Sequence, residues 1–105
     1  MVDTLVVLVT APSAEAAAGI ARALVEERLA ACGNVVPGLR SIYRWEGKVH
    51  DDAEALLVLK TTRSRFPALR DRVLALHPYE VPEVLALPVE AGNEKYLAWV
   101  RAETG

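Results

Sequence analysis

Apolar positions along the chain fall into blocks whose period alternates between that of a strand and that of a helix. Residues 5–9, Leu-Val-Val-Leu-Val, form an unbroken apolar run, the pattern of a strand that is central in its sheet or covered on both faces. Ser13 then stands as an N-cap with Glu15 in the first turn, and Ile20 and Leu24 recur at i, i+4 in an Ala-rich segment reaching Leu29. This predicts a helix of about four turns, closed by Gly33. Residues 34–45 read as extended, interrupted at Pro37-Gly38 by a bulge or bend. Glu46-Gly47 is a hairpin signal, so the third strand, ending in Ala55-Leu56-Leu57-Val58-Leu59, returns antiparallel to the second. Ser64 is placed to cap a second helix whose apolar stripe is Phe66, Leu69, Val73 and Leu76, with Pro67 confined to its first turn and His77-Pro78 as its stop. Residues 81–89 supply a fourth strand, and Asn93 caps a last short helix with Tyr96, Trp99 and Val100 on one face.

The resulting order, β-α-β-β-α-β-α, is two split βαβ units joined by a hairpin, plus a C-terminal helix. It predicts a single α+β domain over residues 1–105, a ferredoxin-like sandwich with a four-stranded antiparallel sheet and both long helices on one face. With 52% hydrophobic residues in so short a chain, the other sheet face needs a cover, and a neighbouring subunit is the economical one. The formal net charge of −2, without any run of Lys or Arg, provides no footprint for a phosphate backbone and argues against a nucleic-acid partner. A single cysteine, Cys32, rules out an intrachain disulfide and fits a reducing compartment. The N-terminus lacks a basic leader, and no stretch approaches the roughly 20 apolar residues of a membrane span. The expectation is a cytoplasmic protein that neither inserts into nor crosses a membrane.

Candidate chemistry concentrates in His77-Pro78-Tyr79-Glu80-Val81-Pro82-Glu83, where two prolines hold one imidazole, one phenol and two carboxylates in a short loop. Tyr43, Arg44 and Trp45 lead into the hairpin turn. They could join Tyr79 in a ligand-facing cluster if the hairpin of one subunit reaches the proline loop of another, although aromatics and Arg equally suit a plain subunit interface. Cys32, between Ala31 and Gly33, reads as a small buried hydrophobe, with metal or redox duty as the alternative. His50-Asp51-Asp52-Ala53-Glu54 has oxygen ligands but no second cluster to close a shell, and reads as a solvated charged stretch. No triad spacing, Walker loop or Rossmann fingerprint suggests an enzyme. Thr10-Ala11-Pro12-Ser13 stands where a metal-chaperone loop would carry Cys-x-x-Cys, and the central strands lack the aromatics of an RNA-recognition surface.

Three segments in order resemble the CutA family of divalent-cation-tolerance proteins: Arg28-Leu29-Ala30-Ala31-Cys32-Gly33-Asn34, Ser41-Ile42-Tyr43-Arg44-Trp45-Glu46-Gly47-Lys48, and the proline loop from His77 to Glu83. Thr10-Ala11-Pro12 ahead of them and Gly92-Asn93-Glu94-Lys95-Tyr96-Leu97-Ala98-Trp99 behind extend the likeness over nearly the whole chain. The resemblance implies a homotrimer of ferredoxin-like subunits, similar in assembly to PII signal-transduction proteins, with a cytoplasmic role in tolerance of copper and other divalent metals. It also implies a copper site made of a cysteine at the position of Val9 and a pair of histidines at the positions of Leu76 and His77, of which this chain keeps His77. For His77 two roles stay open: a helix-end imidazole bonded to main chain, or a ligand completed by threefold symmetry or by Glu80 and Glu83. The functional expectation is a non-enzymatic trimer binding a divalent cation such as copper, or a small effector, at subunit clefts. The alternatives are a PII-like signal module that binds a small molecule without metal, and a trimeric scaffold.

Overall fold

In the computed structural model, which describes residues 2–105, the chain forms β1 (Thr4–Ala11), α1 (Ala14–Glu26), β2 (Cys32–Trp45), β3 (Lys48–Thr62), α2 (Phe66–Leu76), β4 (Leu85–Pro88) and α3 (Glu94–Glu103). All three strand pairings are antiparallel, in the order β2-β3-β1-β4, which places the apolar run of residues 5–9 in the sheet interior as its pattern predicts.

Side chains alternate across the sheet. Val7, Val9 and Ala11 of β1, with Ala55, Leu57 and Leu59 of β3, face α1 and α2 and close over Ile20, Leu24, Leu69 and Val73 in one core. Ser13 caps α1 by accepting a hydrogen bond from the Ala16 N–H, and Asn93 caps α3 through the Lys95 N–H, as expected. The opposite face carries Val6, Leu8, Leu56 and Val58, half-buried, with Val36 at 46%, Leu85 at 56% and Leu87 at 45% exposure. Tyr96 of α3 contacts Cys32, which pairs with Lys60 on that same face, so α3 covers one end of it and leaves an apolar stripe open.

Several sequence expectations are corrected. Helix α1 ends at Glu26, not Leu29. Arg28 takes the left-handed conformation there (φ 60°) and donates to the Ala102 and Gly105 carbonyls at the C-terminal end of α3, where helix carbonyls lack internal partners. Gly33 does not close the helix. It lies in β2 under α1, where a Cβ would stand 2.8 Å from that of Ala21 and 3.0 Å from Leu59 Cδ2, so its role is close helix-to-sheet packing. Ser64 does not cap α2. The cap position is Arg65, and the Ser64 hydroxyl bonds Thr62 instead. Of the predicted fourth strand, residues 85–88 pair with the sheet and the Val89 N–H adds a bond to the Thr4 carbonyl, while the segment before Leu85 leaves the sheet to form the loop described below. In α3 the buried positions are Leu97 and Val100, while Tyr96 and Trp99 are exposed; along α2, Leu76 is exposed as well.

Candidate functional site

The β2–β3 hairpin continues past the helices as a two-stranded arm, and the molecule is correspondingly long, 44 × 25 × 23 Å. Its tip is the two-residue turn Glu46-Gly47, with φ of 51° and 76°, the positive pair that matches hairpin twist. The phase of the arm is set lower down, where the register steps from Val36↔Leu56 to Leu39↔Glu54: three residues advance on β2 against two on β3. Gly38, at φ 76°, accommodates this bulge. One extra residue exchanges the two faces of everything beyond it. Were the same residues to alternate plainly from Val36, Ile42 and Arg44 would share a face with Leu56; with the bulge, Ser41, Tyr43 and Trp45 do, alongside His50, Asp52 and Glu54 of β3.

Those groups contact one another. Tyr43 stacks on His50 with ring centroids 5.1 Å apart, and its hydroxyl donates to Asp52 Oδ2 at 2.6 Å. On the reverse side Arg40 makes a bidentate pair with Asp51, at 2.8 and 2.6 Å, which holds the Asp51 carboxyl below its ordinary range.

The second wall is the proline loop. His77 terminates α2 as its C-cap and turns inward until it is 7% exposed. Its Nε2 lies 2.7 Å from the Thr10 carbonyl at the end of β1, and its Nδ1 accepts the Tyr79 N–H at 3.1 Å. A carbonyl can only accept and an N–H can only donate, so this pair of contacts selects the neutral tautomer protonated on Nε2 and occupies both ring nitrogens. The Tyr79 ring, 4.5 Å from the imidazole by centroids, reaches across to the arm, where its hydroxyl donates to Glu54 Oε2 at 2.6 Å.

Between arm and loop lies a cleft of about 660 Å³, lined by Thr10, Ser41, Tyr43, Trp45 and Glu54 on one side and by Pro78, Tyr79, Glu80 and Glu83 on the other. The structure therefore unites Tyr43, Trp45, Tyr79, Glu80 and Glu83 within a single chain, without requiring a second subunit to bring hairpin and loop together. Arg44 lies on the other face of the arm and does not line the cleft, although Ile42 on that face reaches its edge. Cys32 also lies elsewhere: half-buried, with Sγ 3.5 Å from the Tyr96 hydroxyl. Glu54, which its sequence context reads as part of a solvated charged stretch, instead lines the cleft and accepts the Tyr79 hydroxyl, and Thr10 lines it from the end of β1. Strict alternation along β3 could have placed Glu54 on the same face as Leu56.

All three tyrosines of the chain are pushed above their ordinary range. For Tyr43 the main cause is the hydrogen bond to Asp52; for Tyr79 it is burial, followed by the bond to Glu54; for Tyr96, raised to about 12, it is the bond to Cys32. A raised folded value leaves stability unchanged below the unfolded tyrosine range near 10 and removes it as pH climbs from there through the folded values. Absorbance titration of phenolate is expected to show the three tyrosines ionising above their ordinary value, Tyr79 and Tyr96 furthest; Tyr79 or Tyr96 ionising at the ordinary value would contradict these bonds.

Among the described residues no three His, Cys, Asp or Glu side chains converge as a metal shell. Glu80 and Glu83 are exposed, Cys32 is remote, and a cation at His77 would have to displace a main-chain partner. One subunit by itself does not fit a bound divalent ion.

A four-stranded antiparallel sheet with three helices, carrying an aromatic and acidic cleft between an extended hairpin and a proline loop, defines a small α+β protein. Residues 5–103 match the family described as CutA1 divalent ion tolerance protein, and the chain belongs to that family. It is 63% identical over 100 residues to the divalent-cation tolerance protein CutA of Thermus thermophilus, covering 95% of this chain and 97% of that one. It is 52% identical over 103 residues to the chloroplastic protein CutA 1 of Oryza sativa, spanning 98% of this chain but 58% of the longer plant protein. The solved structure of the divalent cation tolerance protein from Thermus thermophilus superposes with a TM-score of 0.94 at 62% identity, covering 97% of this chain and 99% of that chain.

Proposed function

We propose that the protein works as a non-enzymatic, cytoplasmic homotrimer of ferredoxin-like subunits, assembled like PII proteins, which takes part in the response to divalent metals. Occupation of the cleft by a small effector or a divalent cation would be the signal it transmits. The observation that carries this reading is the cleft itself: five of the side chains singled out from the sequence, drawn from two distant segments, line one cavity of ligand size. One wall is the two-stranded arm that extends past the helices, so a ligand that shifts the arm would change what a partner protein meets. The open stripe of Val36, Leu56, Val58, Leu85 and Leu87 supports the trimer, since an apolar face of this extent is costly in water.

A PII-like module that binds a small molecule without metal is favoured over direct copper binding by one detail: both nitrogens of His77 are already bonded to main chain. Copper coordination would need ligands brought together from more than one subunit. Calorimetry with copper and zinc on the assembled protein and on His77→Ala tests this. Equal copper affinity in both proteins is the expected result, and affinity abolished by the substitution would return His77 to the role of ligand. Light scattering is expected to report a trimer, and a stable monomer at micromolar concentration would overturn the assembly.

A further inference from the structure

The lining of the cleft is more selective than its size. Three aromatic rings, Tyr43, Trp45 and Tyr79, and three carboxylates, Glu54, Glu80 and Glu83, face it, and no Lys, Arg or His lines it. Lys48 shares the face of Trp45 but sits opposite it at the tip of the arm, outside the lining; on the other face Arg40 is bound to Asp51, and Arg44 lies on that face with it. The tyrosine hydroxyls donate to carboxylates without cancelling their charge. The cavity therefore presents a formal charge of −3 from its three glutamates against π faces, both of which attract a cation.

A bare metal ion does not suit this lining. Hard cations need six or more oxygens at bonding distance, and the carboxylates here do not converge even in threes. Charges spread along a cavity of about 660 Å³ instead match an extended cation whose positive centres are separated by an apolar stem. The stem can lie on the aromatic rings while each ammonium group meets a carboxylate.

We propose that the cleft binds an organic ammonium ion of the alkyl di- or polyamine class, with Glu80 and Glu83 on the loop and Glu54 on the arm as counter-charges and Tyr43, Trp45 and Tyr79 as the surface for the stem. This deepens the reading of the cleft as the ligand site and rests on it. It assigns the ligand as a molecule whose positive charge resembles that of a metal ion but whose recognition does not use metal coordination.

The test titrates the assembled protein with putrescine and spermidine, by calorimetry and by fluorescence of Trp45 in a Trp99→Phe background, since the chain has two tryptophans. Glu80→Gln and Glu83→Gln alter exposed side chains and preserve the fold; each is expected to weaken spermidine binding about two- to fivefold. Glu103→Gln, on the exposed side of α3, is expected to leave it unchanged, and the diol of putrescine's chain length is expected not to bind. Equal losses in Glu103→Gln and Glu83→Gln would mean diffuse charge attraction and overturn the proposal. No amine binding, with copper, zinc, a nucleotide or a small anion bound in a way these loop variants weaken, would overturn the amine assignment and keep the cleft as the site. No ligand sensitive to the loop variants would overturn both.

Discussion

Insertion of one alanine between Leu39 and Arg40 is expected to turn Tyr43 and Trp45 out of the cleft and bring Arg44 onto its face. The bulge at Gly38 already absorbs the one extra residue of β2, so a further residue beyond it moves the rest of the strand one step along β3 and exchanges its faces. The core half of β2 will hold its register, because Gly33 is wedged against Ala21 and Leu59 and cannot exchange faces with a larger neighbour. The slip is therefore taken up by the solvent-facing arm and its turn. Two π faces are lost and a guanidinium enters an acidic cavity. At about 0.5–2 kcal/mol for each cation–π contact, affinity for spermidine is expected to fall on the order of 10-fold or more. The Tyr43 bond to Asp52 disappears with it, so a tyrosine should return toward ordinary titration. Retention of both the binding and the raised tyrosine in the insertion variant would show that the residue count along the arm does not set the face.

His77→Ala carries the second large effect. The imidazole joins the start of the proline loop to the end of β1, and truncation leaves the Thr10 carbonyl and the Tyr79 N–H without that partner. Each buried polar group stripped of its partner costs about 1–3 kcal/mol, less whatever water recovers in the space left behind. A loss of about 2–4 kcal/mol in urea unfolding is expected on that basis. Tyr79 should also swing from Glu54, loosening one wall of the cleft, so ligand affinity falls together with stability. His77→Gln, whose amide can both donate and accept, should recover part of the stability. A His77→Ala protein as stable as the parent would refute the latch.

Much of this was legible in the chain. The caps Ser13 and Asn93, the proline at the head of α2, the Glu46-Gly47 turn and the stop at His77 are local rules about orphan N–H groups and permitted φ, and they hold wherever they occur. The misplacements have local causes too. Gly33 was assigned to a helix end because glycine commonly sits there, whereas its use is to let a helix approach a strand, a contact between residues far enough apart in sequence to leave no periodic trace. Ser64 had the right chemistry for a cap, but Thr62 engages its hydroxyl. Residues 81–84 carry a strand's composition, yet the loop that holds Tyr79 against Glu54 draws them off the sheet.

What the sequence by itself determined is the order of elements, the central position of β1 and the set of polar and aromatic side chains held near prolines and turns, because each follows from periodicity and backbone restriction within a few residues. The tertiary structure alone decided which of those side chains meet. Phase on the arm depends on counting residues across a bulge against a partner strand, and the tautomer of His77 depends on a carbonyl in β1 and an N–H in its own loop. Both are relations between segments brought together only by folding, so no local pattern encodes them.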